Sequence, residues 1–301
     1  MDRNEHAITG RKTRRSVALH RRALSYNAHR PDMSFTLAPL TAIIIACLAG
    51  GALSVLAAAG TLALHSRWIS PLVSFAVGAL LGAVFLELLP HALEHGATQR
   101  VMLTVLVGLL LFFLLEKLVL WRHSHLEAES LAEGALAHAT EDARSHSHGF
   151  DGGRSGLMIL IGNSVHNFCD GIVIAATFIA DFTLGTTTAL AIVAHAIPQQ
   201  VGDFAVLLHS GYTRRRAFVY NLATGAATLV GGLAGYAALA SMQEVLTTVL
   251  ALAAASLLYV AVADLIPSLH RHPAPGDTAR QLALIGVGIT IIAIAHVVLE
   301  H

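Results

Sequence analysis

Residues 72–93 read LVSFAVGALLGAVFLELLPHAL, a run that carries a single carboxylate, Glu87. As an α-helix rising ~1.5 Å per residue it reaches about 33 Å, and the hydrocarbon core of a bilayer is about 30 Å thick. The run therefore reads as a membrane-spanning helix. Seven more apolar segments of spanning length lie around it, at 37–64, 101–121, 155–180, 184–209, 216–240, 245–268 and 279–299. The expectation is an all-α, polytopic membrane protein with eight transmembrane helices.

Composition agrees. Of 301 residues, 55% are apolar and 13% are charged, whereas a soluble domain carries about a quarter charged residues. The formal net charge is zero, so no nucleic-acid partner is expected. Cys47 and Cys169 both sit inside apolar runs, which argues against a disulfide framework.

The chain divides into four stretches. Residues 1–36 are polar and basic and are expected to form a disordered extension. Residues 37–121 hold helices one to three. Residues 122–154 form the one long connection, with His123, His125, His138, His146 and His148. It is expected to be loosely ordered and, as a histidine-rich tract, able to bind metal weakly. Residues 155–301 hold helices four to eight. Eight crossings put both termini on one side. The connections after odd helices carry Arg67, Arg122, Arg144, Arg154, Arg214, Arg215, Arg216, Arg271 and Arg280, and the others carry only Arg100. That bias places the odd connections in the cytoplasm and the termini outside. The basic tail runs against this, and a natural start at Met33 would remove the conflict.

Two helices end alike. Glu87-Leu88-Leu89-Pro90 closes the second segment and Asp264-Leu265-Ile266-Pro267 closes the seventh. Each places a carboxylate three residues before a proline, on helices that run in opposite directions. This pattern fits an inverted repeat of helices 1–3 and 6–8 around helices 4 and 5. Intramembrane carboxylates are costly and read as functional. Glu87, His91 and Asp264 are therefore candidate gate or relay groups.

The densest polar chemistry lies in the middle of the chain. On the fourth helix, His166 and Asp170 stand at i and i+4, with Asn167 on nearly the same face. On the fifth, His195, Gln199 and Asp203 follow at i+4 spacing, and Pro198 withdraws a backbone donor. Both histidines lie about 11 residues into their helices from opposite sides, so both reach about 16 Å depth. Imidazole, amide and carboxylate groups meeting at one depth make a nitrogen–oxygen site for a divalent transition-metal cation. The expected ligands are His166, Asn167, Asp170, His195 and Gln199, with Asp203 as a relay.

These residues resemble the ZIP (zinc–iron permease) family over segments two to eight. His166-Asn167-Phe168, Asp170-Gly171 is similar to its fourth-helix motif. His195, Ile197-Pro198 and Val201-Gly202-Asp203-Phe204 are similar to its fifth. Leu88-Leu89-Pro90-His91 and Asp264-Leu265-Ile266-Pro267 resemble its second and seventh helices. The resemblance implies a homodimeric, multi-pass cell-membrane protein that moves zinc, iron (Fe2+) or manganese (Mn2+) towards the cytoplasm. It implies Zn2+ as substrate, no prosthetic group and no enzymatic activity.

The departures are specific. Ala196 stands where glutamate is usual. Gln199 and Gln200 stand where histidine or glutamate is frequent, and Asn163 and Ser268 replace carboxylates. Asp170 is left as the one central carboxylate, so weaker binding than at a fuller site is expected, and a second adjacent metal is not. Two other readings remain from the residues: a metal-binding or sensing relative that does not transport, and an intramembrane zinc hydrolase. The second lacks a His-Glu-x-x-His motif and an evident nucleophile.

Overall fold

The computed structural model describes residues 37–60, 69–138, 154–270 and 275–300, and every regular element among them is helical. The helices are α1 (Leu37–Gly60), α2 (Ile69–His95), α3 (Thr98–His138), α4 (Arg154–Ala180), α5 (Phe182–His209) and α6 (Arg214–Leu239). They are followed by α7, which begins as Gln243–Tyr259 and ends as Ile266–Leu269, and by α8 (Pro275–Glu300). Each of the eight expected segments is one of these helices. Seven of them, all but α4, are long and apolar enough among the described residues to cross a membrane. The protein is a polytopic helical membrane protein.

One expectation is corrected. The connection that was expected to be loose from residue 122 continues α3 as helix to His138. Leu, Glu and Ala in 126–136 are strong helix formers, and no proline or glycine pair interrupts them. His146, His148, the N-terminal extension and Met33 lie outside the described residues.

The bundle has an inside and an outside. About 67% of the apolar window of α2 is buried, against 11% for α3 and for α8. Leu80, Val84, Leu88, Ile174, Leu250 and Leu257 form the centre. Leu103, Leu106 and Leu110 of α3 and Ile294 and Val298 of α8 face outward, as lipid-facing side chains must. Lipid is as apolar as leucine, so burial does not hold such helices together. Close packing of small residues does. A Cβ on Gly78 would stand 2.0 Å from the Ile285 carbonyl oxygen, and one on Gly288 would stand 2.4 Å from that of Phe75. These contacts clamp α2 and α8 together. Gly171 and Gly231 do the same for α4 and α6, where a Cβ on either would stand 2.0 Å from the other helix's backbone oxygen (Thr228 and Phe168). Both pairs run parallel, since Gly78 meets Ile285 and Gly82 meets Ile289 and Ile292, while Phe168 meets Gly231 and Ile172 meets Gly235. Gly108 beside Ala255, with Tyr259 donating to Glu116, makes α3 and α7 a third parallel pair. These directions are those that alternating crossings demand.

The two proline-linked ends share a backbone feature that the sequence did not announce. Ala83–Leu88 and Val260–Leu265 are π-helical turns, and in each the residue before proline bonds five residues back, Leu89 to Val84 and Ile266 to Ala261. Proline cannot donate, and its ring crowds the preceding turn. Widening that turn by one residue relieves the crowding. Glu87 and Asp264 each occupy the fifth position of their turn. Pro198, by contrast, sits in a continuous helix.

The glycine contacts give a direct expectation. Gly171→Ala puts a methyl group against the Thr228 carbonyl and should destabilise the detergent-solubilised protein by about 1–3 kcal/mol. Gly286→Ala, where nothing lies within 4 Å of the added carbon, should be neutral. Thermal unfolding of the two variants beside the parent checks this.

Candidate metal centre

α4 and α5 run antiparallel, joined by Asp181, whose carboxylate accepts from the Leu184 N–H at 2.9 Å and caps α5. The turn brings the two polar stripes face to face. His166 Nε2 lies 3.4 Å from Asp170 Oδ2, His195 Nε2 lies 3.3 Å from the same oxygen, and the two Nε2 atoms are 3.4 Å apart. His195 and Asp170 are buried, while the His166 side chain keeps 22% of its exposure. The three separations are long for hydrogen bonds. They do match the edges of a coordination tetrahedron, because ligands ~2.0–2.1 Å from one zinc-sized ion stand about 3.3–3.4 Å apart. His166, Asp170 and His195 thus outline one face of such a tetrahedron, and no fourth His, Cys, Asp or Glu joins them among the described residues.

Two further details suit a cation. Asp170 Oδ1 is buried with no hydrogen-bond partner among the described residues, a costly state for a carboxylate unless a positive charge joins it. His195 Nδ1 faces the Ala191 carbonyl at 3.3 Å. With the proton on Nδ1, the Nε2 lone pair points at the cluster.

Asn167 and Gln199 lie beside this triangle rather than in it. The Asn167 amide donates to the Thr224 carbonyl at 3.0 Å, and the Gln199 amide donates to Asn163 Oδ1 at 3.3 Å. Around them runs a polar network between α5 and α6. The Gln200 amide donates to the Thr224 hydroxyl (3.4 Å), which donates to the Asn221 carbonyl (2.8 Å), and the Asn221 side chain donates to the Gln200 carbonyl (3.1 Å). Asp170, Asn167, Ala196 and Gln200 also line a cavity of about 10 Å3 against Gly50 and Ser54 of α1 and Thr228 of α6. That is room for about one water molecule.

The other candidate groups are spread along the bundle. Asp203 is buried, with Oδ2 unpartnered among the described residues. Asp264 is exposed and lies within electrostatic reach of His166, His195 and Glu116. His91 stacks on His95 with ring centroids 4.4 Å apart. Glu87 is buried, and its Oε2 lies 2.9 Å from His296 Nδ1. Sequence reasoning missed His296, and also Glu116, Asn221 and Thr224. The Asn221, Thr224, Thr228 spacing on α6 was a legible polar stripe. His296 was a lone histidine on an apolar helix, and nothing in sequence marked its partner.

Fold and site together define a helical membrane protein with an imidazole–carboxylate cluster buried between two of its central helices. Comparison with known proteins makes this narrower. The ZIP zinc transporter family matches residues 34–296, and the chain belongs to that family, one of transporters and not of enzymes. It is 31% identical to zinc transporter ZIP13 of Pongo abelii over 243 residues, 75% of this chain and 66% of that protein. It is 29% identical to ZIP13 of Homo sapiens over 270 residues, 75% of this chain and 70% of that protein. It is 32% identical to zinc transporter ZIP4 of Homo sapiens over 258 residues, 67% of this chain but only 39% of that protein.

The network beside the triangle makes its own prediction. Thr224→Val keeps the shape, removes the hydroxyl and strands the Gln200 amide. It should cost about 1–3 kcal/mol, measurable as a lowered unfolding midpoint in detergent.

Proposed function

We propose that this protein carries a divalent transition-metal cation across the membrane, zinc first, towards the cytoplasm. In this reading the cation is held between α4 and α5 by His166, Asp170 and His195. The triangle of 3.3, 3.4 and 3.4 Å separations carries the proposal. Two imidazoles and one carboxylate favour zinc, iron(II), nickel or copper over magnesium or calcium. Membership of a zinc transporter family supports the same substrate. Asn167 and Gln199 donate through their amide nitrogens, which leaves their oxygens to complete the shell of an arriving ion.

The remaining groups fit a path. Glu87 and His91 would meet the cation at the outer end, and Asp203 and Asp264 would receive it at the inner end. The twin π-turns support a repeat of helices 1–3 in helices 6–8. Exchanging the second helix for the seventh and the third for the eighth also converts the α2–α8 pair into the α7–α3 pair. The histidine-bearing connection would then be cytoplasmic, and the protein would act as a dimer in the cell membrane.

A second reading rests on one observation. Asp170 is the only carboxylate in the cluster, and Ala196 offers a methyl group to the cavity that Asp170 lines. One carboxylate leaves a dication half neutralised in a poorly polarisable site, as in a relative that binds metal without moving it.

Radioactive zinc flux into proteoliposomes separates the two. Transport should be present, and His166→Ala or Asp170→Asn should abolish it. Flux that survives both changes removes the central site, and no flux from the parent favours the binding reading. Ala196→Glu, which adds a second carboxylate to the same cavity, should lower the KM for zinc about tenfold.

A further inference from the structure

One titratable cluster lies apart from the central triangle and unites three residues of two helices. Glu87 sits in the π-turn of α2 with its side chain 3% exposed. Its Oε2 lies 2.9 Å from His296 Nδ1, and its Oε1 is buried with no hydrogen-bond partner among the described residues. The other ring nitrogen of His296 lies 3.4 Å from Glu300 Oε1, one turn on, and Glu300 is 59% exposed. The three groups form a chain from the open end of α8 to a buried carboxylate. His91 follows Glu87 at i+4, and Asp181 lies within electrostatic reach of both.

We infer that Glu87 and His296 form a second cation site, which takes a divalent transition-metal ion at this end of the bundle, with Glu300 as its exposed collecting arm. The inference rests on the transport reading for its purpose but not for its chemistry. A nitrogen and an oxygen each ~2.1 Å from one ion, at about 90°, stand about 3.0 Å apart, close to the 2.9 Å seen. The unpaired Glu87 Oε1 supplies the charge and the lone pairs that a hydrogen bond to one imidazole leaves unused. Placement points the same way. α2 and α8 are parallel, so both end on this face. The α5 start joins them, with Thr183 against the Leu299 carbonyl at 3.5 Å. Glu94, Asp181 and Glu300 lie here beside Arg100, while Arg154, Arg214, Arg215, Arg216 and Arg280 belong to helix starts at the opposite end. Such a surface concentrates cations.

The alternative role for these residues is a polar tie that holds α2 to α8. Glu87→Gln separates the two, because glutamine can still hydrogen-bond His296 but loses the anionic ligand. The test is Zn2+ titration by calorimetry on the full chain in detergent, in the Asp170→Asn background, where the central site is disabled. That protein should still bind zinc. Adding Glu87→Gln or, separately, His296→Ala should weaken the remaining binding about tenfold or more. Metal held by residues 122–154 contributes equally to every variant and cancels. In zinc flux, Glu87→Gln alone should raise KM about tenfold. Identical isotherms for Asp170→Asn with and without Glu87→Gln, or an unchanged KM, overturn the second site. If Asp170→Asn binds as tightly as the parent, the central reading fails instead, and a loss on Glu87→Gln in the parent still supports the second site.

Discussion

The structure turns on the burial of one carboxylate. Asp170 lies among helices whose outer faces are hydrocarbon-like, and ionising it there is tolerable only with positive charge close by. The two neighbours supplied are imidazoles, which can be neutral or charged and which bind metals in the neutral form. A lysine or arginine in their place would have neutralised Asp170 permanently and closed the site. Imidazoles instead leave it neutralised by whichever cation is present, a proton or a metal ion. That exchangeability is what the proposed transport requires and what a structural ion pair lacks.

Holding Asp170 there is the task of backbone contacts that seem remote from metal chemistry only in a list of ligands. Gly171 follows Asp170 directly, and its contact with the Thr228 carbonyl fixes the height and rotation of α4 against α6. The same contact sets Asn167 opposite the Thr224 carbonyl, one turn earlier. With α4 fixed by α6, and α5 capped by Asp181 at a one-residue turn, His195 has one register in which to meet His166. Packing without a hydrophobic driving force thus becomes positional accuracy: small residues admit backbones to contact, and contact leaves no room to slide.

Much of this was legible in sequence, for a physical reason. Spanning length and apolarity are local properties, so all eight helices could be read, seven of them within a few residues of their described ends. The stripe from His166 to Asp170 and that from His195 to Asp203 followed from helical periodicity alone. Contacts between helices distant in the chain were harder. Asn167 and Gln199 lie on the right faces, yet their amides are claimed by Thr224 and Asn163, partners that periodicity cannot name. The α3 helix outran its apolar stretch because helix propensity continues where hydropathy stops. The π-turns were hidden because the same proline signal stands in α5, at Pro198, without widening that helix.

The contrast among the three prolines is informative about movement. Pro198 lies beside the triangle, where a change of helix geometry would pull His195 from Asp170, and there the helix stays regular. Pro90 and Pro267 lie near opposite ends, and there the turn before each is widened and carries a carboxylate at the same position. A π-turn can shift along a helix by passing its extra residue to the next turn, which rotates the side chains between the two positions. Rotation at α2 would carry Glu87 towards or away from His296. Rotation at α7 would carry Asp264 relative to Glu116 and the central imidazoles. On the proposed path, the adjustable backbone therefore lies where a cation would be admitted or released, and the regular backbone where it would be held.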